Sequence, residues 1–373
     1  MGVFQLPVKL CNELNTMCAR FWWGQVGDER KIHWKSWESL AKPKKDEGMG
    51  FRDIRCFNLA MLAKQGWRLI QDTGSLVHTC FKAKYFPRSR FLEAKDVPNS
   101  SYVWKSILAA QEVLKRGCCW RVGIGSDIRV LTNKWIPSHP SNMVIYQPQE
   151  VEWEWRVVEL INWNVGVWDR HLIETKFQKE DAETILRIPL SRRMVADNLF
   201  WLLNRDGVYF VKSGYRVACK IMKEASMQGE SSMAMAGELV WGKLWQMHIP
   251  NKIKVFAWRA CHGILPTYDN LLRKHVVEDS VCELCKRTSE TELHALWDCS
   301  VAQDVWVGSM RKLQKSKGGQ LDFLHLVEEL TLKLSREELE FFFRASLTHM
   351  DTAQCSYLWW SDTGPVSASK ESW

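Results

Sequence analysis

Four residues in one short stretch have the types and spacing to hold a metal. Cys282, Cys285, His294 and Cys299 form a Cys-x2-Cys-x8-His-x4-Cys pattern. A CxxC turn lets two thiolates grip one ion, and a His and a Cys spaced x4 on a following helix can complete a tetrahedron. Three sulfurs and one imidazole suit Zn²⁺, because soft sulfur ligands disfavour Mg²⁺ and Ca²⁺. With all four positions filled by protein, the site is expected to be structural, since catalytic zinc keeps a position open for water or substrate. Glu290 and Glu292 lie between the ligands, but an acid beside a saturated zinc has no bound water to activate. A redox role for CxxC would need a strand-to-helix context that is absent here. The competing expectation makes His294 and Cys299 core residues packed beneath a helix. Cys11, Cys18, Cys56, Cys80, Cys118, Cys119, Cys219, Cys261 and Cys355 show no comparable spacing and are expected to be buried thiols.

Just upstream, residues 249–267 carry a second pattern. Pro250 is well placed to open a helix, where its missing N–H is not needed. Ile253, Phe256, Ala257, Ala260 and Ile264 then form one apolar stripe. The other side carries Lys252, Trp258, Arg259 and His262, with Lys254 near its edge. Lys and Arg for phosphate and Trp for base stacking are what single-stranded nucleic acid requires. The alternative is that Trp258 packs on the zinc lobe and the charges are solvated, which helical spacing of an aromatic favours. The Gly123-Ile-Gly125 pair lacks the third glycine and the Lys-Ser/Thr of a phosphate loop, so it is expected to be a turn.

The elements that must position these residues are mostly helical. Helices are expected over 7–22, 55–71 and 101–116, the second from Leu59, Leu62, Ala63, Gly66 and Ile70 at helical spacing. Residues 42–50 form a basic, glycine-bearing loop. Alternation about Gly125-Ser-Asp127 predicts a hairpin over 120–130, and Asp206-Gly207 predicts another joining 200–203 to 208–211. Residues 151–190 are expected to be helical and Trp-rich, followed by a helix over 213–223. The fold class is therefore mostly α with small β-hairpins, ending in a C-terminal helical zinc-binding lobe. Pro/Ser-rich residues 137–150 and Met/Ser/Gly-rich residues 225–237 mark boundaries. The units expected are 1–136 (basic, helical, with a hairpin), 151–224 (Trp-rich), 238–310 (zinc-binding), 311–360 (a helical extension) and 361–373 (a disordered tail).

The bulk numbers narrow the function. The chain has 373 residues with 51 Lys/Arg and 43 Asp/Glu, a net charge of +8. Residues 1–150 carry 23 basic and 13 acidic side chains, and residues 151–373 carry 28 and 30, so the whole basic excess is N-terminal. That asymmetry points to a polyanion partner or to a solvated basic surface. No run approaches the ~18 apolar residues of a membrane span. The N-terminal residues lack the basic and apolar regions of a secretory signal. An intracellular, reducing compartment is expected, with nucleus and cytoplasm not distinguished; KPKK at 42–45 is too short for a nuclear signal. The 12 Cys are then thiols or metal ligands rather than a disulfide framework.

Several motifs in order resemble a known family. Trp241…Trp245, the 250–260 segment (PNKIKVFAWRA), Leu265-Pro-Thr267, Asn270-Leu271, Cys282…Cys285, Glu290-Thr291…His294, Cys299 and Val305-Trp306 resemble the reverse-transcriptase zinc-binding domain. That domain belongs to the C-terminal part of plant LINE-type (non-LTR) retroelement polyproteins. Phe21-Trp-Trp-Gly24, Ile32-His-Trp34, Gly48-Met-Gly-Phe51, Asn58-Leu-Ala60 and the 63–68 segment (AKQGWR) are similar to the stretch that follows the polymerase in these proteins. So are Asn133-Lys-Trp135 and the 206–215 segment. The likeness covers about residues 1–310. It implies relatives with a reverse transcriptase upstream and often an RNase H domain downstream.

Neither activity is expected of this chain. Two-metal nucleotidyl transfer needs paired carboxylates, the sequence has no Asp-Asp dipeptide, and residues after about 335 no longer match the family. The expected function is a non-catalytic retroelement segment that binds RNA or single-stranded DNA and one structural zinc. The alternative is a structural or protein-interaction remnant that ignores nucleic acid. A residual polymerase or nuclease is the third and weakest reading. No small-molecule substrate is expected, and the oligomeric state is not legible. The 21 Trp are spread over every unit, which favours packing anchors over a stacking platform, with Trp258 the best exception.

Overall fold

The computed structural model describes residues 2–25, 27, 29–137, 139–145, 154–191, 193–226, 238–309, 311–314 and 319–353. Residues 227–237 of the expected linker, Cys355 and the expected tail over 361–373 lie outside them. The chain divides into two interleaved units, one made of Met1–Asn12 with Ile54–Glu230 and the other of Glu13–Asp53 with Ser231–Trp373. The helix Val8–Trp22 is shared between them in sequence.

In the first unit, the helix Ile54–Gln71 is the central element. Its apolar spacing buries Leu62, Ala63, Gly66, Trp67 and Leu69 against Val211–Ser226 and Gln111–Gly117. Gly66 is required by this contact, because a Cβ there would lie 2.8 Å from a Phe91 ring carbon and 2.9 Å from Leu114. Helix starts follow the usual hydroxyl caps: the Ser75 Oγ accepts from the His78 N–H, and the Ser101 Oγ accepts from the Trp104 N–H. The helix Leu76–Tyr85, opened by Ser75, escapes the periodicity reading because its first turn is exposed. The expected helix over 101–116 is broken at Ala110 into Tyr102–Ala109 and Gln111–Gly117.

The small strands differ from expectation. Residues 120–130 do not form a hairpin. Cys118–Arg121 instead pairs antiparallel with Asn198–Trp201, matching Cys118 to Trp201. The Val208–Val211 strand is likewise absent, since Val211 already begins a helix. The Asn204–Gly207 turn persists, with Gly207 at φ 72° and its carbonyl accepting from the Trp201 N–H at 2.7 Å. A true hairpin joins Ile161–Asn162 to Val167–Trp168 through Gly166 at φ 71°, inside the stretch expected to be helical. A second cluster around Trp135, Ile128, Leu160 and Ile173 forms beside that hairpin. The fold class stands: helices dominate and both sheets are two-stranded.

In the second unit, Glu238–Gln246, Asn251–Cys261, Phe323–Lys333 and Arg336–Ala353 bury one core. It includes Trp241, Trp258, Leu326, Leu330, Phe342 and Phe343, joined by Trp23, Leu40 and Met49 from the 13–53 segment. Arg336–Ala353 thus packs into the same core as the helices preceding the cysteine-rich loop.

Candidate metal centre and the basic helix

The cysteine-rich loop is built locally. An isolated bridge pairs Val281 with Ser289, and the Cys282 N–H donates to the Thr288 carbonyl at 2.9 Å. The Lys286 N–H donates back to the Cys282 carbonyl at 2.8 Å, with Lys286 in the left-handed region at φ 56°. This tight turn points Cys282 and Cys285 the same way. His294 opens a wide helical turn over His294–Asp298, and Cys299 sits at the head of the helix Ser300–Val307.

The four ligand atoms of Cys282, Cys285, His294 and Cys299 lie within 4.8 Å of one another. The Cys282 and Cys299 sulfurs are 4.0 Å apart, and the Cys285 sulfur is 3.3 Å from His294 Nε2. Tetrahedral zinc with Zn–S near 2.3 Å and Zn–N near 2.05 Å calls for edges of about 3.8 and about 3.6 Å. The donor set therefore fits that ion in type, number and spacing. His294 Nδ1 faces the Thr288 Oγ1 at 3.1 Å, leaving Nε2 directed at the sulfurs. The hydroxyl oxygen can accept from an Nδ1–H, an arrangement that leaves the Nε2 lone pair for a metal. Backbone amides led by that of Arg287, together with His294, hold the Cys285 thiol down to about 6, while burial pushes Cys282 up.

Glu290 and Glu292 are buried but do not open the centre to solvent. A Glu290 carboxylate oxygen accepts from the Tyr268 N–H at 3.4 Å. Asn270 donates to Glu292 and to the Gly263 and Leu265 carbonyls, so the acid pair clasps the loop to the end of the preceding helix. Burial raises the pKa of both carboxyls.

The helix Asn251–Cys261 places its basic side differently from expectation. Trp258 is only 1% exposed, and its indole N–H donates to the Glu47 carbonyl at 2.8 Å. A ring so covered offers no face to a base; it packs against His262 and is tied to the Glu47 backbone rather than to the cysteine-rich loop. Arg259 lies over the Trp23 ring at 5.4 Å, and burial lowers its pKa to about 10. Lys252 pairs with Asp351 at 3.4 Å, and Lys254 Nζ donates to the Trp245 carbonyl at 3.1 Å. His262 packs at a tilt against Trp241 and Trp258, with centroids 4.7 and 4.3 Å away. Burial drops its pKa to about 4.

Two residues that sequence reasoning missed organise loops. Thr288 carries no signal, because its reach to His294 depends on the turn. Asp197 lies 70–74 residues from its partners: its carboxylate accepts from the Gly123, Gly125 and Asp127 amides at 2.7–2.8 Å. The Gly123–Gly125 loop is thus filled by the protein's own carboxylate.

Fold and centre together define a helical zinc-binding-type lobe with a closed four-ligand set. A family profile described as zinc-binding in reverse transcriptase matches residues 209–306. A putative ribonuclease H protein of Arabidopsis thaliana is 28% identical over 323 residues, 82% of this chain and 49% of the relative. An uncharacterized mitochondrial protein of the same plant is 38% identical over 137 residues, 36% of this chain and 89% of the relative. The chain spans about half the length of the first of these relatives. No solved structure matches. The chain belongs to the family of plant retroelement-derived proteins that carry the reverse-transcriptase zinc-binding domain.

Proposed function

We propose that this chain is a non-catalytic, nucleic-acid-binding segment of a LINE-type retroelement polyprotein, held at its C-terminal lobe by one structural Zn²⁺. The observation that carries it is the convergence of Cys282, Cys285, His294 and Cys299 within the matched family region. Zinc supplies a cross-link between the CxxC turn and the helix headed by Cys299, and such sites couple binding to folding. Closure of the set by four protein donors supports a structural rather than catalytic ion.

RNA or single-stranded DNA as partner rests on the basic excess of residues 1–150. In the first unit Lys64, Arg68, Lys84, Arg88, Lys95 and Lys105 are all exposed. Contacts of this kind act through phosphate and weaken steeply with salt. Metal analysis of protein purified without chelator is expected to find one zinc per chain. Single-stranded RNA is expected to bind with an affinity that falls between low and moderate salt. No stoichiometric zinc, or a flat salt response, sinks the corresponding half of the reading. Mg²⁺-dependent primer extension by the pure chain would overturn the non-catalytic assignment. RNA-independent capture of a protein partner, with no RNA binding, would favour the interaction-remnant reading.

A further inference from the structure

A cavity of about 650 Å³ opens in the first unit between the helix Leu76–Tyr85, the helix Gln111–Gly117 and the strand Cys118–Arg121. That volume suits one nucleotide-sized ligand. Five basic side chains line it: Lys82, Arg90, Lys115, Arg116 and Lys134. Four acids, Glu93, Glu112, Asp127 and Asp197, share the wall, which leaves one formal positive charge in excess, and three of the four are engaged. Asp197 is saturated by three backbone amides. Asp127 pairs with Arg90 at 2.5 Å. Glu112 pairs with Arg116, which also reaches Glu224. Glu93 is exposed.

The three lysines stand apart. Lys82 Nζ donates to the Ser89 carbonyl at 2.6 Å. Lys134 Nζ donates to the Lys115 and Arg116 carbonyls at 3.0 and 3.1 Å. Lys115 is exposed at the last turn of its helix. Among the described residues none of the three is in an ion pair with a carboxylate, so positive charge in the cavity is left for an external anion. Lys134 is half-buried, and that burial lowers its pKa, a cost that a bound anion would relieve. The wall also holds a flat surface: the Arg90 guanidinium lies 4.7 Å over the Trp120 ring. An Arg plane backed by an indole is a stacking platform for a base, because every base has a π-face.

We propose that this cavity receives a nucleotide unit of a single-stranded nucleic acid, with its phosphate between Lys82, Lys115 and Lys134 and its base against Arg90. The proposal rests on the nucleic-acid reading above and gives it a location in the first unit. The ligand chemistry is shared by a strand and a free nucleotide, and the test separates them.

The test uses the full zinc-loaded chain with a labelled 12-nucleotide uridine RNA, and uridine monophosphate in a separate arm. Lys82→Gln with Lys115→Gln removes two proposed phosphate contacts at positions where loss of the ammonium leaves the fold, followed by circular dichroism, unchanged. Lys212→Gln with Arg216→Gln, on exposed positions that do not line the cavity, is the control. Two lost contacts are expected to lower the slope of log affinity against log salt by about 1.4, or roughly 20-fold in affinity near 0.1 M salt. The control is expected to keep the parent slope. If the parent binds RNA and the cavity variant matches it in affinity and slope, the cavity assignment is overturned while the nucleic-acid reading stands. If the parent binds neither ligand, both fall. Monophosphate binding without RNA binding, lost in the cavity variant, overturns the strand assignment in favour of a free nucleotide.

Discussion

The Thr288 hydroxyl offers a sharp test of how the metal centre is held. Thr288→Val keeps the side-chain volume and leaves the backbone carbonyl that accepts from the Cys282 N–H, so the turn itself is spared. What is lost is the 3.1 Å contact to His294 Nδ1, where the hydroxyl oxygen can accept from an Nδ1–H and so hold the ring with Nε2 toward the sulfurs. Removing such an outer contact costs 10–100-fold in metal affinity in comparable sites, about 1.4–2.8 kcal/mol. Thr288 is exposed, so water can partly replace the hydroxyl, and the expected loss is near tenfold, about 1.4 kcal/mol. Competition for Zn²⁺ against a chelator of known affinity, at fixed pH, measures it. Thr288→Ser retains an oxygen and is expected to bind as the parent does. If the Val variant holds zinc as tightly as the parent, or if Ser and Val lose affinity equally, the positioning role is refuted.

His262 is neutral in the fold because burial takes its pKa to about 4, against about 6.5 unfolded. Its contribution is therefore present above pH 6.5 and lost as pH falls through 4; from pH 7 to 5 the parent should lose about 2 kcal/mol more than His262→Phe in denaturant titrations. Equal pH slopes for the two proteins would refute this. Gly117→Ala would put a Cβ 2.2 Å from the Trp201 ring, which is buried and pinned by Ser213 at 2.9 Å; at least about 1–3 kcal/mol of destabilisation is expected, and an unshifted melting curve speaks against the contact. Asp197→Ala strands three loop amides and should cost about 2–4 kcal/mol, with faster hydrogen exchange at Gly123, Gly125 and Asp127 than in the parent. Chelation should reduce helical circular dichroism by unravelling the 282–307 region, restored by added Zn²⁺; an unchanged spectrum after confirmed metal removal contradicts the coupling.

The Cys282, Cys285, His294 and Cys299 cluster was legible because all four fall within one local turn-and-helix stretch, where spacing largely dictates geometry. Helices such as Ile54–Gln71 were legible from periodicity, since burial of one face leaves a 3.6-residue signature. Strand partners were not: alternation at Trp120 and Val122 records which side is buried, but nothing there reveals a partner near residue 200. The basic face of Asn251–Cys261 misled for the same reason. Its charges and Trp258 are met by Glu47, Trp23 and Asp351, each distant in sequence. Thr288 and Asp197 act through tertiary reach and leave no local pattern. Tryptophan as packing anchor is the reading that fits Trp104, Trp135, Trp201, Trp241 and Trp258, all fully buried.

The interleaving of the two units sets a timetable for synthesis. Residues 13–53 belong with a partner segment that begins at Ser231, so about 180 residues must be translated before any of that segment is made. At roughly 5–20 residues per second that wait lasts about 10–40 s. Throughout it Trp23, Leu40 and Met49, later buried, face solvent on a nascent chain. The four residues of the cysteine-rich cluster, by contrast, are all available as soon as Cys299 emerges. A ribosome-bound intermediate ending shortly before residue 231 should therefore recruit hydrophobic-binding chaperones to its N-terminal segment, and lose them once the second unit is complete.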